Sequence, residues 1–275
     1  MQGKNTESLE AVRQYWQEHM LYSFELDHSA PEIFIGGLKK IRCEDVDRFT
    51  LDYWQFDKFA NKLVLDVGCG GGWLTVNYAL RGARVYAIDL TQRAVELTKR
   101  HLRYKNTLAS VDVGNAQDLS YQDNFFDLVV SSGVLHHTPD YYKAFKECYR
   151  VLKPKGKAKI TLYRKGFLHR KFIFKFVKMI MKRLRIKHPG ADLFKARDVD
   201  EFIRQYDGAE NPLGIGKTDK EWQDVARRAG FIVKKTEGHY FPKRFIPVIK
   251  NMPVCIHFLL DRFFGTMVYF ELEKP

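Results

Sequence analysis

The chain has little cysteine. Cys43, Cys69, Cys148 and Cys255 lie far apart among 275 residues. That scarcity excludes a disulfide-stapled scaffold, and the spacing matches no zinc-ligand pattern. No cluster of His, Asp and Glu stands at ligand spacing near the strand ends, so no metal is expected. Long apolar runs are missing too: none reaches the ~18 residues that a membrane-spanning helix requires. The opening MQGKNTESLEAVRQYW lacks the basic-then-apolar pattern of a secretory signal. These absences point to a reduced, cytoplasmic protein. Acidic residues are absent from Val151 to Ala191, where fourteen Lys or Arg fall. The formal net charge is +13, so this segment carries the excess and the rest of the chain is near neutral. Such a segment suits an anionic partner or a solvated face.

What is present is a β/α rhythm. KLVLDVG, RVYAIDL, ASVDVGN, FDLVVSSG and KAKITLYR are short apolar runs that read as strands. Between them, WLTVNYALRG, TQRAVELTKRHL and YYKAFKECYRVL read as helices, the second capped by Thr91. Strands alternating with helices imply a mostly parallel, doubly wound α/β sheet. Before the rhythm begins, ESLEAVRQYWQEHMLYSF is expected as a helix entering a loop and CEDVDRFTLDYWQFDKF as a second helix. After Tyr163 come a long helical stretch, DVDEFIRQY, the loop DGAENPLGIGKT and the helix DKEWQDVARRAG. FIVKKTEGHY and TMVYFELEK supply two late strands.

The most specific stretch is VLDVGCGGGW, residues 64–73. An apolar run ends in Asp66 and enters a turn holding Gly68, Gly70, Gly71 and Gly72. In an open α/β sheet the turn after the first strand faces the ligand crevice. Glycine lets the backbone there adopt positive φ and approach a ligand closely. The dinucleotide fingerprint G-x-G-x-x-G needs a third glycine for helix–strand packing. Here that position is Trp73, and the pattern is D-x-G-x-G-x-G. Asp89 follows Gly68 by twenty-one residues, and a carboxylate at that distance can accept from ribose hydroxyls.

This set resembles motif I of the class I S-adenosylmethionine-dependent methyltransferases. GNAQDLSYQDNFFDLVVSSGVLHH (114–137) is similar to the family's motif II region, and VLKPKGKAKI (151–160) to its turn before strand five. The resemblance implies a Rossmann-like sheet of seven strands, mostly parallel with a reversed last strand. It implies S-adenosylmethionine as cofactor and a small-molecule methyl acceptor as partner. One domain would span 1–275: an N-terminal helical lid (1–60), a cofactor-binding core (61–163), a helical insertion (164–218) and a C-terminal part (219–275) holding an apolar insertion (241–264).

Position by position, Asp66 with Gly68, Cys69 and Gly70 would line the methionine end of the cofactor. Asp89 would hold the ribose and Leu90 would pack on the adenine. Asn115 and Ala116 would meet the adenine edge, with Asn115 standing where many relatives have Asp. Ser132, Gly133 and Val134 would end strand four beside the sulfonium. His136 and His137 follow, and either could act as a general base or be hydrogen-bonded structure. Tyr15 and Tyr22 in the N-terminal segment, with Tyr206 and Asp207 in the late loop, are candidate substrate contacts. Each could instead be a packing or helix-ending residue.

LHRKFIFKFVKMIMKRLRIK (168–187) places Lys171, Lys175, Lys178, Lys182 and Arg185 in one helical stripe, with apolar residues almost everywhere else. An apolar face that broad exceeds the roughly 100° stripe of an ordinary surface helix. It suits a wall of an apolar pocket, a core helix, or peripheral contact with an anionic membrane. Cations interleaved with bulky aliphatics argue against nucleic acid, and no appended RNA-binding module is visible. The leading expectation is methyl transfer to an amphipathic or lipid-like molecule. The alternatives are an RNA methyltransferase and a non-catalytic binder of the cofactor.

Overall fold

The computed structural model describes residues 8–20, 22, 26–27, 30–183, 195–241 and 252–275. Seven strands form one sheet: β1 (Leu63–Val67), β2 (Arg84–Asp89), β3 (Ser110–Val113), β4 (Phe126–Ser132), β5 (Leu152–Tyr163), β6 (Ile232–His239) and β7 (Met267–Glu273). Their order is β3-β2-β1-β4-β5-β7-β6, with β7 antiparallel to both neighbours. The strand order reverses between β1 and β4, and the crevice at their carboxyl ends is where such sheets bind ligands.

The helices are α1 (Leu9–Glu18), α2 (Pro31–Ile41), α3 (Trp73–Leu80), α4 (Gln92–Tyr104), α5 (Tyr141–Val151), α6 (Lys171–Arg183), α7 (Val199–Arg204), α8 (Asp219–Arg228) and α9 (Val254–Phe264). Alternate residues of β1 serve the two faces of the sheet. Leu65 and Val67 join α5 and α8 in one core, while Val64 packs with Leu74 and Tyr78 of α3. Thr91 caps α4, its hydroxyl accepting from the Ala94 amide at 3.3 Å.

The N-terminal third differs from expectation. The helix expected over 43–59 is a single wide turn at 42–46 followed by two short 3₁₀ turns. Gln55 breaks it with φ 50°, and Trp54, Phe56 and Phe59 instead bury against α3 and β1. A regular helix lies earlier, at α2, burying Phe34, Ile35 and Leu38 against Ala94 and Leu97 of α4. The helix expected over 168–187 is α6; Arg185 of its cation stripe lies outside the described residues.

Candidate functional site

One crevice runs along the carboxyl ends of β1, β2 and β4. Asp66, Gly68, Cys69, Gly70, Asp89, Leu90, Asn115, Ala116, Ser132 and Gly133 all line it. The glycine turn is shaped by two demands. Gly68 has φ +82°, and a Cβ there would meet Val134 Cγ2 at 2.3 Å. Gly70 has φ +52°, but a Cβ there would meet no protein atom within 4 Å. Its backbone is bared toward open space, as a ligand's close approach requires.

Asp89 holds this turn to the next strand. One carboxylate oxygen accepts from the Gly70 amide at 3.0 Å; the other accepts from the Thr91 amide and hydroxyl, both at 3.0 Å. Burial raises its pKa against those hydrogen bonds. His101 steadies the turn from behind, its Nδ1 lying 2.9 Å from the Gly71 carbonyl. The Asn115 amide oxygen accepts from the Gln117 amide at 2.9 Å, so the side chain also shapes its own turn.

Asp66 is fully buried, and its Oδ2 accepts from the Thr75 hydroxyl at 2.7 Å and amide at 3.1 Å. Burial pushes its pKa up to about 7 despite those bonds. A carboxyl with a folded pKa above its unfolded value stabilises the fold fully below the unfolded value, near 4, and loses that contribution as pH rises through about 7. Stability should therefore decline between pH 4 and 7 by up to about 1.4 kcal/mol per pH unit from this group. Urea unfolding across that window should show a shallower decline for Asp66→Asn.

Trp73 answers for the missing third glycine. It opens α3, packs beside Phe34 and Leu74, and also lines the crevice. Its buried indole nitrogen has no hydrogen-bond partner among the described residues.

Arg42 was not singled out by the sequence. It sits at the end of α2, buried, with Nε 2.7 Å from Asp47 Oδ2 and both terminal nitrogens 3.3 Å from Ser132 Oγ. Asp47 also accepts from Trp54 Nε1 and Thr50 Oγ1. This network delivers a guanidinium to the crevice wall near Gly133 and Tyr22. Together, the bared glycine backbone, the Asp89 carboxylate and the guanidinium fit S-adenosylmethionine, which offers a ribose diol and a carboxylate.

The two histidines differ. His137 lines the crevice; its Nδ1 lies 2.5 Å from the Leu213 carbonyl and its Nε2 3.2 Å from Asp207 Oδ2. His136 is fully buried, and neither ring nitrogen has a partner among the described residues. Burial and the neighbouring His137 hold its pKa well below the usual histidine range, so it is neutral at pH 7. Its ring lies against Tyr163, centroids 3.9 Å apart.

Asp207 gathers the rest. Its carboxylate accepts from the Tyr163 hydroxyl, and its backbone carbonyl accepts from the Tyr15 hydroxyl at 2.5 Å. Burial, with Asp207 beside it, pushes the Tyr163 phenol well above its usual pKa. Tyr206 pairs instead with His169, its hydroxyl 2.8 Å from Nε2. Thus Tyr15, His136, Asp207 and, at one remove, Tyr206 converge beside His137, while Tyr22 stands at the opposite wall with Arg42. Trp16 closes over His137, ring centroids 4.9 Å apart.

Residues 65–160 match the family model described as a methyltransferase domain. The ubiquinone biosynthesis O-methyltransferase of Xanthomonas oryzae pv. oryzae is 39% identical over 132 residues, covering 48% of this chain and 52% of that protein. The protein of the same description from Aromatoleum aromaticum is 28% identical over 148 residues, 53% and 63% of the two chains. The chain thus spans about half the length of the first of these relatives. An S-adenosylmethionine-dependent methyltransferase structure from Mesorhizobium loti superposes with TM-score 0.57 at 18% identity, over 82% of this chain and 99% of that one, and supports the fold. The strand order, the D-x-G-x-G-x-G turn on β1 and Asp89 on β2 agree with these matches: residues 65–160 form a methyltransferase domain of the class I S-adenosylmethionine-dependent type.

Proposed function

We propose that this chain transfers the methyl group of S-adenosylmethionine to a small amphipathic or lipid-like molecule by in-line displacement. The observation that supports the reading is the convergence of Gly70, Asp89 and Arg42 on one crevice that His137 also lines, with Asp207 behind His137 bonded to Tyr15 and Tyr163. When bound, the cofactor supplies the methyl group and its own leaving group. Asp89 would hold the ribose and Arg42 the carboxylate. The protein's remaining task is orientation in a dry pocket, which can account for roughly 7–11 kcal/mol of barrier. Tyr15 and Trp16 of α1 would exclude water.

The relatives are described by O-methylation, so an acceptor hydroxyl is the first class to test. His137 lines the crevice, and its Nε2 would have to leave Asp207 to take a proton from such a hydroxyl; a base contributes about 10²–10⁴-fold. Peripheral contact with an anionic membrane would bring an amphipathic acceptor within reach. The RNA reading rests on the basic segment, yet Lys153, Lys159, Arg164 and Lys165 there already pair with Asp127, Glu271, Asp219 and Asp200.

The test is a calorimetric titration with S-adenosylhomocysteine. Asp89→Ala should weaken binding at least about tenfold, because a hydrogen bond to a charged group contributes about 1.5–3 kcal/mol. Unchanged affinity in a folded variant would overturn the ribose assignment.

A further inference from the structure

Helices α6 and α9 leave large apolar side chains outside while turning polar ones inward. On α6, Phe174 turns inward to Phe202 of α7, ring centroids 5.1 Å apart, and Lys178 bonds the Ala196 carbonyl at 2.6 Å. Phe172, Phe176 and Met179 point the other way, and Phe172 is 86% exposed. On α9 the inward residues are polar. His257 Nε2 lies 3.1 Å from the Phe241 carbonyl. Asp261 takes His239 Nδ1 and the Tyr240 amide, each at 2.7 Å. Phe258, Leu259 and Phe263 are left outside, Phe263 at 64% exposure. A soluble helix ordinarily does the reverse. The two helices meet at the turn 167–169, where Phe167 and Phe264 lie 6.0 Å apart. Exposed large apolar side chains on both helices flanking that turn mark an interaction site.

The charge around it selects the partner. Arg170, Lys175, Lys182 and Arg183 are exposed on the α6 side. In the segment 164–183 there are eight Lys or Arg and no acid. Two copies of the chain joined through this face would crowd like charges. Phe172, Phe176 and Phe263 have π-faces on which bases could stack, but the exposed aliphatic Met179, Ile180 and Leu259 among them suit acyl chains instead. Cations at the margin of an apolar face are the pattern of an interfacial helix on anionic lipid.

We infer that α6 and α9 form one docking surface for an anionic bilayer, with Phe172, Phe176 and Phe263 inserted among the acyl chains and Lys175, Lys182 and Arg183 at the phosphates. The surface stands close to the crevice. His169 of the joining turn bonds Tyr206, whose ring lies 5.3 Å from that of Tyr163 beside His137. An amphipathic acceptor resident in the bilayer would therefore lie near the site of methyl transfer. That last link rests on the function proposed above; the docking does not.

The experiment is co-sedimentation of the full chain with phosphatidylcholine vesicles, with or without roughly one-third phosphatidylglycerol, at low and high salt. The wild type should pellet with the anionic vesicles at low salt and far less with the neutral ones. Lys175→Gln/Lys182→Gln/Arg183→Gln should weaken this on the order of a hundredfold, at about 1 kcal/mol per charge. Phe172→Ser/Phe176→Ser/Phe263→Ser should weaken it as well, with S-adenosylhomocysteine affinity unchanged in both variants as evidence of folding. A wild type that ignores anionic vesicles overturns the proposal. So does concentration-dependent dimerisation lost in the Phe variant, or an RNA mobility shift lost in the Lys/Arg variant without vesicle binding. Cofactor binding without vesicle binding defeats this inference alone; vesicle binding without cofactor binding defeats the proposed function alone.

Discussion

Gly68→Ala is expected to lose measurable cofactor binding and to lower the melting temperature on the order of 10 °C. Two costs add. The residue sits at φ +82°, where a side chain costs about 1–2 kcal/mol. The new methyl would also fall 2.3 Å from Val134 Cγ2 and 2.6 Å from Cγ1, an overpacking that costs about 1–3 kcal/mol. Val134 follows β4 on the opposite wall of the crevice, so relief by backbone shift would move both walls. Thermal melts of the single variant and of Gly68→Ala/Val134→Ala separate the two costs. The double variant should recover the overpacking part and keep the φ part. A single variant as stable as the wild type and fully competent for S-adenosylhomocysteine would contradict the geometry of the turn.

Arg42→Met carries the other large effect. It leaves Asp47 as a buried carboxylate without its cation, and breaking such a pair by removing one partner costs about 3–5 kcal/mol. It also removes the guanidinium beside Ser132. If Arg42 holds the cofactor's carboxylate, affinity should fall by about tenfold to a hundredfold, from the 1.5–3 kcal/mol of a charged hydrogen bond. Stability and binding can be parted. Arg42→Met/Asp47→Asn should regain much of the stability, since the orphaned charge is gone, and none of the affinity. Denaturant unfolding beside calorimetric titration of both variants checks this. Affinity that returns with stability would assign Arg42 a purely structural role.

The part of the fold that the sequence made legible is the part governed by local periodicity. From Leu63 to Tyr163 each strand is a short apolar run and each helix has its own cap or closing glycine, so local pattern and tertiary packing agree. The crevice residues were legible for the same reason: they sit on strand ends at fixed spacing. The N-terminal third was not. Gly36 and Gly37 lie in the middle of α2, and its N-cap makes no side-chain hydrogen bond, so the signals of Pro31 and Glu32 at its start and Lys39 and Lys40 at its end were outweighed. Gly37 sits beside Leu26, and the neighbouring Phe34 and Leu38 pack toward Gly71. Tertiary contact therefore decides that element. Arg42 was invisible for a related reason: its partner Ser132 stands ninety residues away and meets it only in the folded chain. The histidine pair was legible as a pair, but its asymmetry was not. It arises from Asp207 and Leu213, which approach from a segment 70 and 76 residues after His137.

The cations of 151–191 show how composition can mislead about partners. As a block they suggest a polyanion. In the fold, Lys159 is buried on β5, bonding Glu271 at 2.8 Å, and Arg164 grips Asp219 through two nitrogens at 2.7 and 2.9 Å. These charges hold β5 to β7 and α8. Among the described residues, only the α6 end of the block is left displayed beside exposed apolar side chains.

The most direct test of methyl transfer to an amphipathic small molecule is to incubate the purified chain with methyl-labelled S-adenosylmethionine and a whole-cell extract, then partition the label. Label should appear in the organic-soluble fraction and be lost when Asp89→Ala replaces the wild type. Label recovered in RNA, or none transferred by a wild type that binds the cofactor, would contradict such transfer.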